Sequence, residues 1–155
     1  MREKVKDYHV AIVGATGLVG QEFIKILLQR DFPVASFRLL ASDRSAGRKM
    51  PVGNQEIKVE ETSNDSFDGV DIALFSIGAE QSRHFSPVAA RAGAVVIDNS
   101  ASFRMDKEVP LVVPEVNIDD IRWHKGIIAN PNCSTIQMVV ALYPLHKVNH
   151  IKRII

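Results

Sequence analysis

The only cysteine, Cys133, stands in the run Asn130-Pro-Asn-Cys133-Ser-Thr-Ile-Gln137, between an apolar stretch that reads as a strand and another that reads as a helix. That spacing places the thiol at a helix amino-terminus. Free N–H groups and the backbone dipole there favour the thiolate, which is the nucleophilic form. Asn132 and Ser134 are both good capping residues for such a terminus. A loop that leaves a parallel strand points into the crevice where such sheets bind ligands. A lone cysteine is more commonly a small buried hydrophobe, so this run alone leaves a nucleophile and an inert thiol equally open.

Two further clusters suggest what a nucleophile would work beside. Gly14-Ala-Thr-Gly17-Leu-Val-Gly20 follows the apolar residues 9–13 and opens an amphipathic stretch. Glycines in a strand-to-helix turn let the backbone approach a pyrophosphate, and the helix start offers N–H donors to it. The spacing is GxxGxxG, with Thr16 where a GxGxxG loop has its second glycine; a tight structural turn is the plainer alternative. The second cluster is Ser42-Asp43-Arg44-Ser45, at the end of the next strand. An acidic residue there suits the ribose hydroxyls of NAD, whereas an arginine between two hydroxyls suits the 2′-phosphate of NADP. The reading favours NADP, with Asp43 turned away from the phosphate.

These loops need a scaffold of alternating strands and helices. Strands are expected at residues 9–13, 37–41, 57–60 (near an edge, from its polar neighbours), 71–75, 95–97 and 126–129. Helices are expected at 18–29, stopped by Phe32-Pro33, at 80–92, capped by Gly93, and at 134–146. Pro87 should kink or restart the second helix, and Pro144 should disturb the last turn of the third. Residues 148–155 read as a strand just begun, which suggests the front part of a longer protein. Strand–helix alternation implies an α/β, doubly wound, mostly parallel sheet with helices on both faces.

Composition agrees with a globular domain: 46% of the 155 residues are hydrophobic and 24% charged, with a net charge of +1. That charge gives no reason to expect nucleic acid or a membrane surface as partner. No apolar run approaches the roughly 20 residues that span a bilayer. The first residues lack the apolar stretch of a secretory signal, so the cytoplasm is the expected location. One cysteine cannot form an internal disulfide. His146 and His150 have i,i+4 spacing, but Pro144 and the expected change to a strand argue against a metal site there, and none is expected elsewhere.

Five motifs occur in order: Gly14-Ala-Thr-Gly17-Leu-Val-Gly20, Ala41-Ser-Asp-Arg-Ser-Ala-Gly47, Asp98-Asn-Ser-Ala-Ser-Phe-Arg104, Val113-Pro-Glu-Val-Asn117 and Asn130-Pro-Asn-Cys-Ser-Thr-Ile-Gln137. Together they resemble the aspartate-semialdehyde dehydrogenases of the bacterial type, from Val10 onward. The resemblance implies a Rossmann-like NADP-binding domain over residues 1–130. Residues 131–155 would then hold the nucleophile and begin a second, catalytic and dimerising domain. It implies Cys133 as nucleophile. Thr16, Gly17, Leu18 and Val19, between Gly14 and Gly20, would form the pyrophosphate turn. Ser42, Arg44 and Ser45 would form the 2′-phosphate site. Ser76 and Gly78 would be a cofactor-contacting turn, and Asn99 would line the nicotinamide end. Arg104 would hold the phosphate co-substrate, with Asn132 helping to orient it.

The implied reaction is NADPH-dependent reductive dephosphorylation of β-aspartyl phosphate to aspartate β-semialdehyde, through a Cys133 thioester. It belongs to lysine (diaminopimelate), threonine and methionine biosynthesis and is carried out by a homodimer. The histidine acid/base is expected beyond Ile155, so the chain should bind NADP without turning over. An N-acetyl-γ-glutamyl-phosphate reductase shares the plan but resembles His-Pro-Gly-Cys at its nucleophile. A non-catalytic NADP-sensing domain with an inert Cys133 is the alternative of a different class.

Overall fold

The structure, a computed structural model, describes residues 7–155. Strand β1 (Tyr8–Val13) lies at its centre. Val10 and Ile12 face one side of the sheet and Ala11 and Val13 the other, and all four are at most 1% exposed. A strand covered on both faces needs such an unbroken apolar run.

The remaining strands are β2 (Val34–Ala41), β3 (Lys49–Val52), β4 (Gln55–Glu61), β5 (Ile72–Phe75), β6 (Val95–Asp98) and β7 (Ile127–Ala129). They form one sheet in the order β3-β4-β2-β1-β5-β6-β7. All neighbours pair in parallel except β3, which pairs antiparallel with β4. The chain moves outward from β1 through β2 to β4, returns beside β1 as β5, and then moves outward the other way. That reversal opens a crevice beyond the carboxyl ends of β1 and β5, where α/β sheets bind dinucleotides.

Helices cover both faces. Helix α1 (Leu18–Gln29) buries Ile24, with Phe23 and Leu27, against Val10, Ile12, Leu39 and Val59. Helix α2 (Ala79–Arg91) sets Phe85, Val88 and Ala89 against Ala11, Val13, Phe67, Phe75 and Val96 on the other face. A short helix α3 (Pro114–Asn117) and a 3₁₀ turn (Ile118–Trp123) lead into β7, and α4 (Cys133–Val148) follows it. The doubly wound sheet is therefore as expected.

Four local expectations change. β3 was not anticipated; it is the edge strand and contains Pro51, which has no N–H to give a ladder and is tolerated only at an edge. β4 consequently lies one strand in from the edge. Both α2 and α4 run through their prolines, Pro87 and Pro144, without a break. No strand forms after residue 148. Val148 is the last residue of α4, and residues 149–155 pair with no strand; the Ile151 amide instead donates to His146 Nδ1.

Candidate active site

A single row of paired residues crosses the sheet at its carboxyl edge. Leu40 pairs with Val13, Val13 with Phe75, Phe75 with Asp98, and Asp98 with Ala129. The residue after each strand then donates its amide to the neighbour's carbonyl: Gly14 to Leu40, Ser76 to Val13, Asn99 to Phe75 and Asn130 to Asp98, at 2.8–3.0 Å. The four loops that carry the candidate residues thus leave the sheet at one level. From β1 to β7 is three strand spacings, about 14 Å.

The first part of this edge is a groove of about 490 Å³. Gly14, Thr16, Gly17, Ser42, Ser76 and Gly78, all singled out in the sequence, line it. Two glycines of this loop are sterically required. A Cβ on Gly14 (φ +89°) would stand 2.2 Å from the Ser76 carbonyl oxygen, so glycine lets the β1–α1 and β5–α2 loops meet. A Cβ on Gly20 would stand 2.3 Å from the Gly14 oxygen, so this buried glycine seats α1 under the loop. Gly17 caps α1 with no side-chain hydrogen bond. The first N–H groups of the helix are left open to an anion, as a pyrophosphate cradle needs. Leu18 and Val19, in the first turn of α1, are exposed and do not line the groove. The residues present therefore fit a dinucleotide.

The turn after β2 differs from expectation. The Ser45 amide donates to the Ser42 carbonyl, which makes Asp43 and Arg44 the two central residues of a tight turn. Asp43 and Arg44 are both exposed; Asp43 borders the groove and Arg44 does not. Ser45 lies behind, its hydroxyl accepting from Thr16 Oγ1 at 3.4 Å. The sequence reading also missed Glu61, Thr62, Ile77, Gln81 and Phe85, which complete the lining. Glu61 ends β4, the strand beside β2, and Thr62 follows it, so recognising that adjacency would have found them.

The second part of the edge surrounds the Cys133 segment. Asn130 Nδ2 donates to Asn99 Oδ1 at 2.7 Å. The half-buried Arg104 donates Nε to the Asn130 carbonyl and Nη2 to the Asn99 carbonyl, both at 3.0 Å. Its guanidinium clamps the β6 and β7 loops together, and Nη1 has no partner among the described residues. Asn132 accepts the Ser134 amide at 3.0 Å, capping α4, and its Nδ2 has no partner among the described residues. Cys133 is the first residue of α4 and is exposed.

A buried polar chain, not anticipated from residue types, holds the loop between Asn99 and Arg104. Asp98 is fully buried and accepts from the Ser100 amide and hydroxyl. Ser102 donates its hydroxyl to the Ala79 carbonyl, while Arg83 donates to the Ser102 carbonyl and lies 5.6 Å from the Phe103 ring centre. The loop is thereby tied to the start of α2. His146 and His150 have ring centres 4.6 Å apart, but among the described residues no group of three or more metal-ligating side chains forms.

The sequence matches the family described as semialdehyde dehydrogenase, NAD binding domain, over residues 9–124. The chain belongs to that family. It is 54% identical over 150 residues to aspartate-semialdehyde dehydrogenase of Bacillus subtilis (strain 168), covering 97% of this chain and 43% of the relative. Among solved structures, aspartate semialdehyde dehydrogenase II of Vibrio cholerae, complexed with ASA, aligns with a TM-score of 0.85 at 48% identity, over 92% of this chain and 47% of the other. The Candida albicans aspartate semialdehyde dehydrogenase with NADP aligns at 0.78 and 31% identity, over 92% of this chain and 48% of the other. The chain thus spans less than half the length of these relatives. Membership makes a nicotinamide nucleotide the ligand class of this domain.

Proposed function

We propose that the chain is the nucleotide-binding and nucleophile-bearing part of an NADP-dependent aspartate-semialdehyde dehydrogenase of amino-acid biosynthesis, working in the cytoplasm as a homodimer. The observation that carries this reading is the common edge: the glycine-lined groove and the Cys133 segment leave the same row of the sheet. Gly14, Thr16 and Gly17, with the start of α1, would hold the pyrophosphate. Ser42, Arg44 and Ser45 would meet the 2′-phosphate, and Ser76, Gly78 and Asn99 would lead to the nicotinamide end. When bound, the nicotinamide supplies hydride in the reductive direction.

In that direction Cys133 Sγ forms a bond to the acyl carbon of β-aspartyl phosphate as the carbon–oxygen bond to phosphate breaks. Covalent catalysis divides a hard step into two easier ones. Arg104, through Nη1, and Asn132, through Nδ2, would hold the departing phosphate. When the thioester is reduced, the sulfur leaves again and the aldehyde is released. A general acid near the substrate oxygen would assist that step as a proton donor to the developing oxyanion. His146 lies 13 residues along α4 from Cys133, about 20 Å at the helical rise per residue, so it cannot be that donor.

Alkylation of Cys133 tests the reading. Iodoacetamide should modify Cys133 at a rate that NADP and inorganic phosphate each change, while the isolated chain shows no phosphate-dependent oxidation of aspartate semialdehyde. A rate indifferent to both ligands would favour an inert thiol in a nucleotide-sensing domain. Turnover by the chain alone would show that the proton donor lies within it.

A further inference from the structure

The loop from Asn99 to Arg104 carries a proposed ligand contact at each end and is fastened in its middle to α2. Ser102, 8% exposed, donates its hydroxyl to the Ala79 carbonyl. Arg83 donates Nη2 to the Ser102 carbonyl, and its guanidinium carbon lies 5.6 Å from the ring centre of Phe103, itself 6% exposed. Ala79 and Arg83 are the first and fifth residues of α2, one turn apart. A carbonyl at the start of a helix already receives the amide four residues on, so the Ser102 hydroxyl takes its second lone pair. The bond therefore serves the loop and not the helix.

The same turn of α2 borders the nucleotide groove. Gly78 caps the helix without a side-chain hydrogen bond, and Gly78, Gln81 and Phe85 all line the groove. A Cβ on Gly78 would stand 2.6 Å from Gln81 Oε1, so the Gln81 side chain folds back over the helix start. Positions 78, 81 and 85 share one face of a helix, and positions 79 and 83 share another. One face thus meets the nucleotide, while the other holds the loop that ends in Arg104. On its far side Ser102 is tied to β6: its amide donates to Ser100 Oγ at 3.1 Å, and that hydroxyl donates to Asp98 Oδ2 at 2.7 Å. Ser102 is therefore held between β6 and α2, two residues before Arg104.

We infer that Ser102 and Arg83 are positioning residues for the phosphate site, and that through them nucleotide and phosphate each favour the binding of the other. The inference rests on the ligand contacts proposed above and goes beyond them, since neither residue lines the groove or belongs to the Cys133 segment. Whichever ligand binds first fixes the first turn of α2 and the loop together, and the second meets a site already ordered. Linkage then requires one factor in both directions: nucleotide tightens phosphate as much as phosphate tightens nucleotide.

Two titrations on the full chain test it. Inorganic phosphate is titrated as protection of Cys133 from iodoacetamide, with and without saturating NADP. NADP binding is titrated with and without saturating phosphate. Each ligand should tighten the other by at least about fivefold, the lower end of ordinary coupling between sites. Ser102→Ala, and Arg83→Ala at an exposed position, should each bring that factor to within about twofold of unity, the usual additivity error. Without phosphate, both variants should bind NADP within about twofold of the unmodified chain. Ser102→Thr keeps the hydroxyl and should retain most of the coupling. Coupling that survives both alanine substitutions overturns the inference alone, as does its absence from the unmodified chain. Loss of both affinities by one common factor, with the coupling intact, is what a merely structural role gives and overturns it equally. Binding of neither ligand by a chain that still melts cooperatively overturns the proposed ligand contacts and this inference with them.

Discussion

Asn130 and Asn99, 31 residues apart, share a side-chain hydrogen bond of 2.7 Å, and Arg104 bridges their two carbonyls. The segment that carries Cys133 is thus fixed to the loop after β6 at three points, counting the Asn130 amide on Asp98. Only the amide pair can be removed without touching the backbone bonds. Truncating one partner leaves the other's polar group unpaired and half-buried, at a cost of about 1–2 kcal/mol. A double-mutant cycle of Asn99→Ala and Asn130→Ala, read by urea unfolding, should give a coupling of about 0.5–1.5 kcal/mol. A coupling below about 0.3 kcal/mol, the usual additivity error, would mean the pair does not form in solution.

Arg104 has a structural task as well as the proposed phosphate contact. Lysine keeps the charge but has no planar fork to serve two carbonyls and an anion together. Arg104→Lys should therefore weaken the protection that inorganic phosphate gives Cys133 against alkylation by at least about tenfold, the worth of one charge-assisted hydrogen bond. Undiminished protection would remove Arg104 from the phosphate site and leave it as a clamp.

How much of this could be read beforehand depends on how local each cause is. Helix α1 has the expected bounds because its causes are neighbours in sequence: the glycine loop, the apolar spacing of Phe23, Ile24, Leu27 and Leu28, and Phe32-Pro33. The central strands are legible for the same reason, since burial on both faces writes a continuous apolar run. β3 is not, because Pro51 and its polar neighbours read as loop until β4 supplies a ladder. Residues 149–155 have the composition of a strand but lie against no edge among the described residues. At the site, Gly14, Thr16, Gly17 and Ser42 were recognisable by type, whereas Ser76 and Gly78 came only through the family resemblance. That Asp43 and not Arg44 borders the groove was not recognisable, because turn geometry decides it. The Asp98–Ser100–Ser102 chain was equally hidden, since serines that serve a buried carboxylate look like ordinary loop residues.

Two glycines with nearly the same φ separate backbone strain from steric contact. Gly14 (φ +89°) has the Ser76 oxygen 2.2 Å from its ideal Cβ and Ile77 Cγ2 at 3.0 Å, whereas Gly47 (φ +85°) has nothing within 4 Å. Gly47→Ala should cost only the left-handed backbone penalty, about 1–2 kcal/mol. Gly14→Ala bears that penalty and must also push the β5–α2 loop away, so its loss of stability should exceed that of Gly47→Ala by about 1–3 kcal/mol. It should also weaken nucleotide binding, which Gly47→Ala should leave within about twofold, its side chain meeting no neighbour. Equal effects on thermal midpoint and on NADP titration would show that the two loops are not in contact.

Helix α4 begins at the nucleophile, yet none of its 16 residues is buried, and Met138, Leu145 and Val148 are 40%, 58% and 82% exposed. Helices of this length owe most of their stability to tertiary packing. The Asn132 cap is then a large share of what holds its first turn. Hydrogen exchange should find α4 amides opening locally, several kcal/mol below the global opening of β1 and β5. Asn132→Ala should cost about 1 kcal/mol and speed exchange at the following turn severalfold, with β1 unchanged. Iodoacetamide should modify Cys133 more slowly in the same variant, because the N–H groups at the helix start lose their fixed direction toward the sulfur. Core-like protection throughout α4 would show that the helix is covered in solution, and would put the stability of the nucleophile's helix in that cover instead of in Asn132.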